Sequence, residues 1–156
     1  MQIQNYQCHF TVPVSTEKAF NAINDVEAWW TQNTTGKSTS PGDVFTVSFG
    51  KTFVHFSVQE LIPGRQVIWK IEDSWLDFVE EKDWNGTYLH WQVIPKGDRT
   101  EITMVHIGLT PMLACFDQCE KGWDFYAKGS LYRLLTEGEG MPDQRRCSIS
   151  DAQEQK

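Results

Sequence analysis

Over the first two thirds of the chain, apolar and polar positions alternate in short runs. Tyr6, Cys8, Phe10 and Val12 fall on one side of a stretch from Ile3 to Val12, with Gln7, His9 and Thr11 on the other. That two-residue period predicts a half-buried strand, ended by Pro13. Ser15 is placed to cap a short helix in which Ala19, Phe20 and Ile23 share a face, and a second helical turn covers Val26 to Trp30. Trp29 and Trp30 are adjacent, so the pattern predicts one ring packed inward and the other at an opening. Thr31 to Asp43 is polar and turn-rich and reads as a loop. Five strand-like runs follow, centred on Phe45 to Phe49, Val54 to Val58, Val67 to Ile71, Leu89 to Val93 and Ile102 to His106. Gly50-Lys51, Pro63-Gly64 and Lys96-Gly97-Asp98 supply tight turns between them.

An antiparallel sheet with one apolar face must cover that face. The cover is written in the last patterned segment. From Phe116, the residues Cys119, Trp123, Tyr126, Ala127, Ser130 and Leu134 recur at three- and four-residue spacings, the stripe of an amphipathic helix. It can start after Pro111 and has Gly138, Gly140 and Pro142 as stop signals. The predicted fold class is therefore α+β: a curved six-stranded antiparallel sheet wrapped around a long C-terminal helix, with two short helices after strand one. Residues 1–142 form one domain, and 143–156 form a polar, flexible tail.

Large inward aromatics hold such layers apart, which predicts a cavity between sheet and helix for a small hydrophobic molecule. By strand parity its walls are Phe45, Phe49, Phe56, Trp69, Trp91 and Met104, with Trp123, Tyr126 and Ser130 from the helix. His9, His55 and His90 fall on outward positions, whereas His106 faces inward. A lone inward histidine is either a hydrogen-bonded structural group or the residue that fixes a ligand's polar atom. Inward carboxylates and a nucleophile with an orienting partner are both missing from the pattern, so no catalytic residue is assigned. No glycine-rich phosphate loop is present, and no cofactor is expected. Cys115 and Cys119 lie one helical turn apart and with His106 make a metal candidate of low weight; the four cysteines show no paired spacing and read as reduced thiols.

Two further surfaces stand out. Between Asp73 and Trp84 lie Trp75, Phe78 and Trp84 among acids. This segment fits a flap over the cavity mouth, a partner contact or an extra strand edge. On the helix, Gly122, Phe125, Gly129 and Tyr132 lie away from the apolar stripe, which predicts a weak homodimer seam or, alternatively, a bend in the helix. A formal net charge of −7 supplies no basic face for nucleic acid or an anionic membrane. Neither a secretory signal nor an apolar run long enough to span a bilayer is found, so a cytoplasmic location is expected.

Several of these segments resemble one family. They are Val26-Glu27-Ala28-Trp29-Trp30, Trp84-Asn85-Gly86-Thr87, Thr100-Glu101-Ile102-Thr103 running into His106-Ile107-Gly108-Leu109-Thr110-Pro111, Gly122-Trp123, Ser130-Leu131 and Gly138-Glu139-Gly140-Met141-Pro142. Together they resemble the activator of heat-shock protein 90 ATPase homologue family, of the START-like or SRPBCC superfamily, up to about Pro142. The resemblance implies a helix-grip domain with a hydrophobic cavity and a link to stress response. Its superfamily includes lipid and hormone binders, polyketide cyclases and ring-hydroxylase subunits. A cyclase- or hydrolase-like use of His106 with Tyr126 is therefore one alternative to simple binding, and a protein-interaction or co-chaperone-like module is another. The eukaryotic co-chaperone also uses a separate N-terminal domain, for which 156 residues leave no room, so the single-domain type is implied.

Overall fold

The computed structural model describes residues 5–76, 84–113 and 116–142, with the side chain of Phe49 outside that set. The expected polar tail, Cys115, Cys147 and most of the Trp75 to Trp84 segment also lie outside the described residues. Strand β1 (Tyr6–Val12) buries Tyr6, Cys8 and Val12, as its alternation requires. Helix α1 (Thr16–Asn24) is capped by Ser15, whose side chain accepts from the Lys18 N–H at 3.1 Å, and it buries Ala19, Phe20 and Ile23. The single turn α2 (Val26–Trp29) follows. Then come β2 (Thr34–Gly36), β3 (Val44–Phe49), β4 (Thr52–Ile62), β5 (Gln66–Trp75), β6 (Tyr88–Lys96) and β7 (Arg99–Ile107).

All seven strands join one antiparallel sheet in the order β1-β7-β6-β5-β4-β3-β2. The expected count of six is corrected by β2, which lies in the stretch read as a loop. It pairs Thr34 with Val47 and Gly36 with Phe45 through the backbone. An edge strand needs no apolar side chains to make that ladder, so hydrophobic periodicity carries no trace of it. Register shifts between His55 and Phe56 and between Val58 and Glu60 bend the long β4 against β5. Such irregularities let a sheet curl around a helix.

The C-terminal helix lies on the concave face, as expected for a helix-grip domain. It begins at Phe116, past Pro111, and Pro111 to Leu113 form a turn in which the Leu113 N–H donates to Thr110 O at 3.0 Å. It runs as α3 (Phe116–Trp123), a π-helical stretch (Asp124–Leu131) and α4 (Tyr132–Glu137). Gly138 closes it in the left-handed conformation at φ 87°, its N–H donating to Leu134 O at 3.1 Å.

The buried residues of this helix are Cys119, Trp123, Ala127, Leu131 and Leu135, each four positions after the last, together with Ser130. In an ideal α-helix a four-residue step overshoots a full turn by about 40°, so such a stripe would wind off the sheet. The wider π turn absorbs the drift and holds all five against the strands. This is why Leu135 is buried where Leu134 was expected, and why Tyr126 is only half-buried.

Candidate functional site

The inward residues of β3 to β7 form two different environments. On the β3 to β6 side, Phe45, Phe56, Trp69 and Trp91 pack on one another: Phe45 stacks on Phe56 at 4.8 Å, meets Trp69 edge-on at 5.0 Å, and Trp69 meets Trp91 at 6.0 Å. Trp29 meets Trp91 edge-on at 5.5 Å. Met104 is fully buried. The two adjacent tryptophans are both buried and stack at 5.8 Å; Trp29 lies against Trp91, and Trp30 faces the cavity described below. This half of the interior is filled by its own rings.

The other environment is built around His106. Strand β7 delivers its imidazole to the concave face opposite Trp123, and the Trp123 indole N–H donates to His106 Nδ1 at 3.1 Å. Thr87 Oγ1 lies 2.9 Å from His106 Nε2 and 2.6 Å from the Trp84 carbonyl oxygen. A carbonyl can only accept, so the Thr87 hydroxyl donates to it and His106 Nε2–H donates to Thr87 Oγ1. Nδ1 is then free to accept from Trp123, and one neutral tautomer satisfies every group. Burial pushes the imidazole pKa down from 6.5 to about 3, which keeps it neutral at ordinary pH.

The same network orients two parallel indoles. Trp84 stacks over Trp123 at 5.8 Å with 6° between planes, His106 stands edge-on to both at 4.7 Å and 6.0 Å, and the Trp84 N–H donates to Cys119 Sγ at 3.2 Å. Gly108 makes room for the strap: a Cβ there would meet Thr87 Cγ2 at 2.5 Å, and its φ of 108° disfavours any side chain.

Beside these rings lies an apolar cavity of about 120 Å³. Trp30, Trp84, Trp123 and Tyr126 wall it, Thr52 and Leu76 close the strand side, and Gln118, Cys119 and Gly122 face it from α3. Of the residues expected to line a ligand site, Trp123 and Tyr126 are here. Phe45, Phe56, Trp69, Trp91 and Met104 are in the packed half, and Phe49 lies outside the described side chains. His106 supports the wall from behind with both nitrogens engaged. Ser130 Oγ accepts from the Met141 N–H at 2.5 Å, which ties the post-helix segment to the helix.

Trp30, Trp84, Cys119 and Gly122 were not assigned to the site. Cys119 already lay on the apolar stripe, and Trp84 opens the Trp-Asn-Gly-Thr motif whose threonine holds His106. Gly122 was expected on a dimer seam but faces the cavity, and Gly129 has Met141 Cε at 4.0 Å from where a Cβ would stand. Phe125 and Tyr132 remain exposed at 48% and 37%. Trp75, at 39% exposed, points away from the interior that takes Leu76 and Trp84. Among the described residues no group of three or more His, Cys, Asp or Glu side chains can hold a metal ion. No described helix is long and apolar enough to cross a membrane.

No family model and no curated protein matches this chain by sequence. Solved structures do match by shape. The Aha1 dimer from Colwellia psychrerythraea is 21% identical with a TM-score of 0.73, over 90% of this chain and 100% of that one. DynU16, a protein of the dynemicin biosynthetic locus, is 18% identical with a TM-score of 0.63, and the match covers 89% of this chain but 50% of that one. MLL2253 from Mesorhizobium loti is 16% identical with a TM-score of 0.65, over 83% of this chain and 96% of that one. At these identities the likeness shows the fold alone, a curved antiparallel sheet wrapped around a C-terminal helix.

Proposed function

We propose that the protein binds a small apolar or aromatic molecule in the cavity between Trp30, Trp84, Trp123 and Tyr126. What supports this reading above all is the pairing of open apolar space with two indoles, Trp84 and Trp123, held by the His106 network. Aromatic walls give affinity by burial, and a fixed wall loses little freedom when the guest arrives. A cavity of about 120 Å³ is smaller than the several hundred Å³ usual for drug-sized ligands and is of the size that takes a single ring. The START-like superfamily that the sequence resembles includes lipid and hormone binders, which agrees with this use of the fold.

An enzyme working through His106 fits the geometry poorly. Burial disfavours the imidazole's charged form and makes it a weak base, and both ring nitrogens are engaged by Trp123 and Thr87. The test of binding is a titration with toluene, followed by the indole N–H resonances of the protein. Shifts confined to Trp30, Trp84 and Trp123 are expected; shifts scattered over exposed residues, or none at saturation, would defeat the assignment. Native mass spectrometry of gently purified protein then seeks the natural guest.

A second surface belongs to this proposal. Phe125 and Tyr132 expose apolar rings on the outer side of the helix, and the Colwellia Aha1 structure is a dimer, so a weak homodimer through these two residues is the partner reading. The link to stress response rests on the sequence resemblance, and a deletion strain that survives heat as well as its parent would remove it.

A further inference from the structure

Three indole N–H groups in the interior have acceptors supplied by the chain itself: Trp29 donates to Ile23 O at 3.2 Å, Trp84 to Cys119 and Trp123 to His106. Those of Trp69 and Trp91 do not. Both nitrogens are shielded from solvent, and neither has a hydrogen-bond partner among the described residues. The two rings are neighbours, 6.0 Å apart on the same face of β5 and β6. Buried donors are nearly always paired, because an unpaired one forfeits its hydration for nothing. Two together, in a chain that satisfies three other indoles, call for a common acceptor from outside the chain.

The way in is also visible. Trp30 walls the cavity and packs on Trp123 at 4.9 Å; it also meets Trp29 at 5.8 Å and Phe56 at 5.7 Å. Those two rings are the ones that touch Trp91 and Trp69. One indole therefore stands between the open space and the unpaired donors. It sits at the end of the single-turn helix α2, an element too short to hold a rigid position by its own backbone bonds.

We propose that the ligand is a ring system carrying a neutral hydrogen-bond acceptor, a carbonyl or ether oxygen. The ring occupies the cavity and displaces the Trp30 indole, and its oxygen accepts from the N–H groups of Trp69 and Trp91. A carboxylate is excluded by the same surroundings: the buried side chains there are apolar, with no cation among the described residues to balance a buried anion. This rests on the cavity being the ligand site and adds the polar group that the ligand must carry.

The matched probes are indane and 1-indanone, one ring skeleton without and with a carbonyl. After correction for their different partition from water into octanol, 1-indanone is expected to bind about tenfold tighter, the worth of two modest hydrogen bonds. Its binding moves the Trp69 and Trp91 indole N–H resonances downfield, and indane leaves them nearly in place. Trp69→Phe and Trp91→Phe each reduce the preference severalfold. Should either variant fail to fold, the resonances of the unaltered protein still decide. Equal affinities with unmoved Trp69 and Trp91 signals overturn this inference and leave the cavity reading standing. Failure of both probes to bind removes the two together.

Discussion

His106 shows how far one side chain's role depends on what surrounds it. Parity alone placed it inward, but the role follows from its partners: Trp123 gives it a proton to accept and Thr87 an oxygen to donate to. The sign of its pH dependence follows. The unfolded chain binds a proton at pH 6.5, while the folded chain resists binding it until about pH 3. The contribution to stability is thus complete above pH 6.5 and is lost as pH falls from there toward 3. Its limiting slope is about 1.4 kcal/mol per pH unit. Gln at this position can accept from Trp123 and donate to Thr87 without titrating. The fall in stability between pH 6.5 and 4, followed by urea denaturation, is therefore expected to be shallower in His106→Gln than in the native protein. Parallel curves would show that His106 does not carry the effect.

A second residue-scale prediction concerns the strap behind it. Gly108→Ala sets a methyl against Thr87 Cγ2 and is expected to cost about 1–3 kcal/mol. Thr87→Ser keeps the hydroxyl and removes that methyl. A double-mutant cycle should then recover part of the loss, leaving the share due to φ. Cys8, by contrast, has no site to serve: burial pushes its thiol up to about 11, so it is expected to react with thiol reagents only on unfolding.

At the scale of the element, what could be read and what could not separate cleanly. Two-residue alternation located β1 and β3 to β7 because each has a buried face. It passed over β2 because this edge strand of Thr34, Thr35 and Gly36 pairs with β3 through the backbone and has no fully buried side chain. The helix was legible in existence, face and stop signal. Its π-helical stretch was not, because the apolar residues of an α-helix and of a slightly underwound one differ only in whether they fall at three or four. The run of fours from Cys119 to Leu135 carries that signal in retrospect. Deleting Lys128, which is exposed, shortens one step to three and restores ordinary α-helical spacing. That deletion is expected to keep the fold, at a cost of no more than about 2 kcal/mol. Loss of the near-ultraviolet circular dichroism of the packed tryptophans would contradict it.

For the whole molecule, the aromatic content made a cavity a fair expectation, yet its position escaped parity. Pattern tells which side of a strand a residue faces and is silent on how the faces fill. Phe45, Phe56, Trp69 and Trp91 pack on one another in one half. The space remains at the other end, where Trp84 and Gly122 meet Trp30. The outer surface makes its own prediction: sedimentation at tens of micromolar should detect self-association that Phe125→Asp abolishes. A chain that is monomeric at that concentration would count against the dimer.

The account as a whole depends on that remaining space being where a guest sits, and Gly122 gives direct access to it. A Cβ built there meets no atom within 4 Å, so a larger side chain can enter the cavity without moving the backbone. The decisive measurement is the affinity of Gly122→Leu for toluene beside that of the native chain, with the melting temperature of each. Removing a mid-helix glycine stabilises by up to about 1 kcal/mol, so the variant should melt no lower, while its affinity falls by about tenfold or more. A variant that keeps its fold and binds toluene as well as the native chain would place the guest elsewhere and contradict the account.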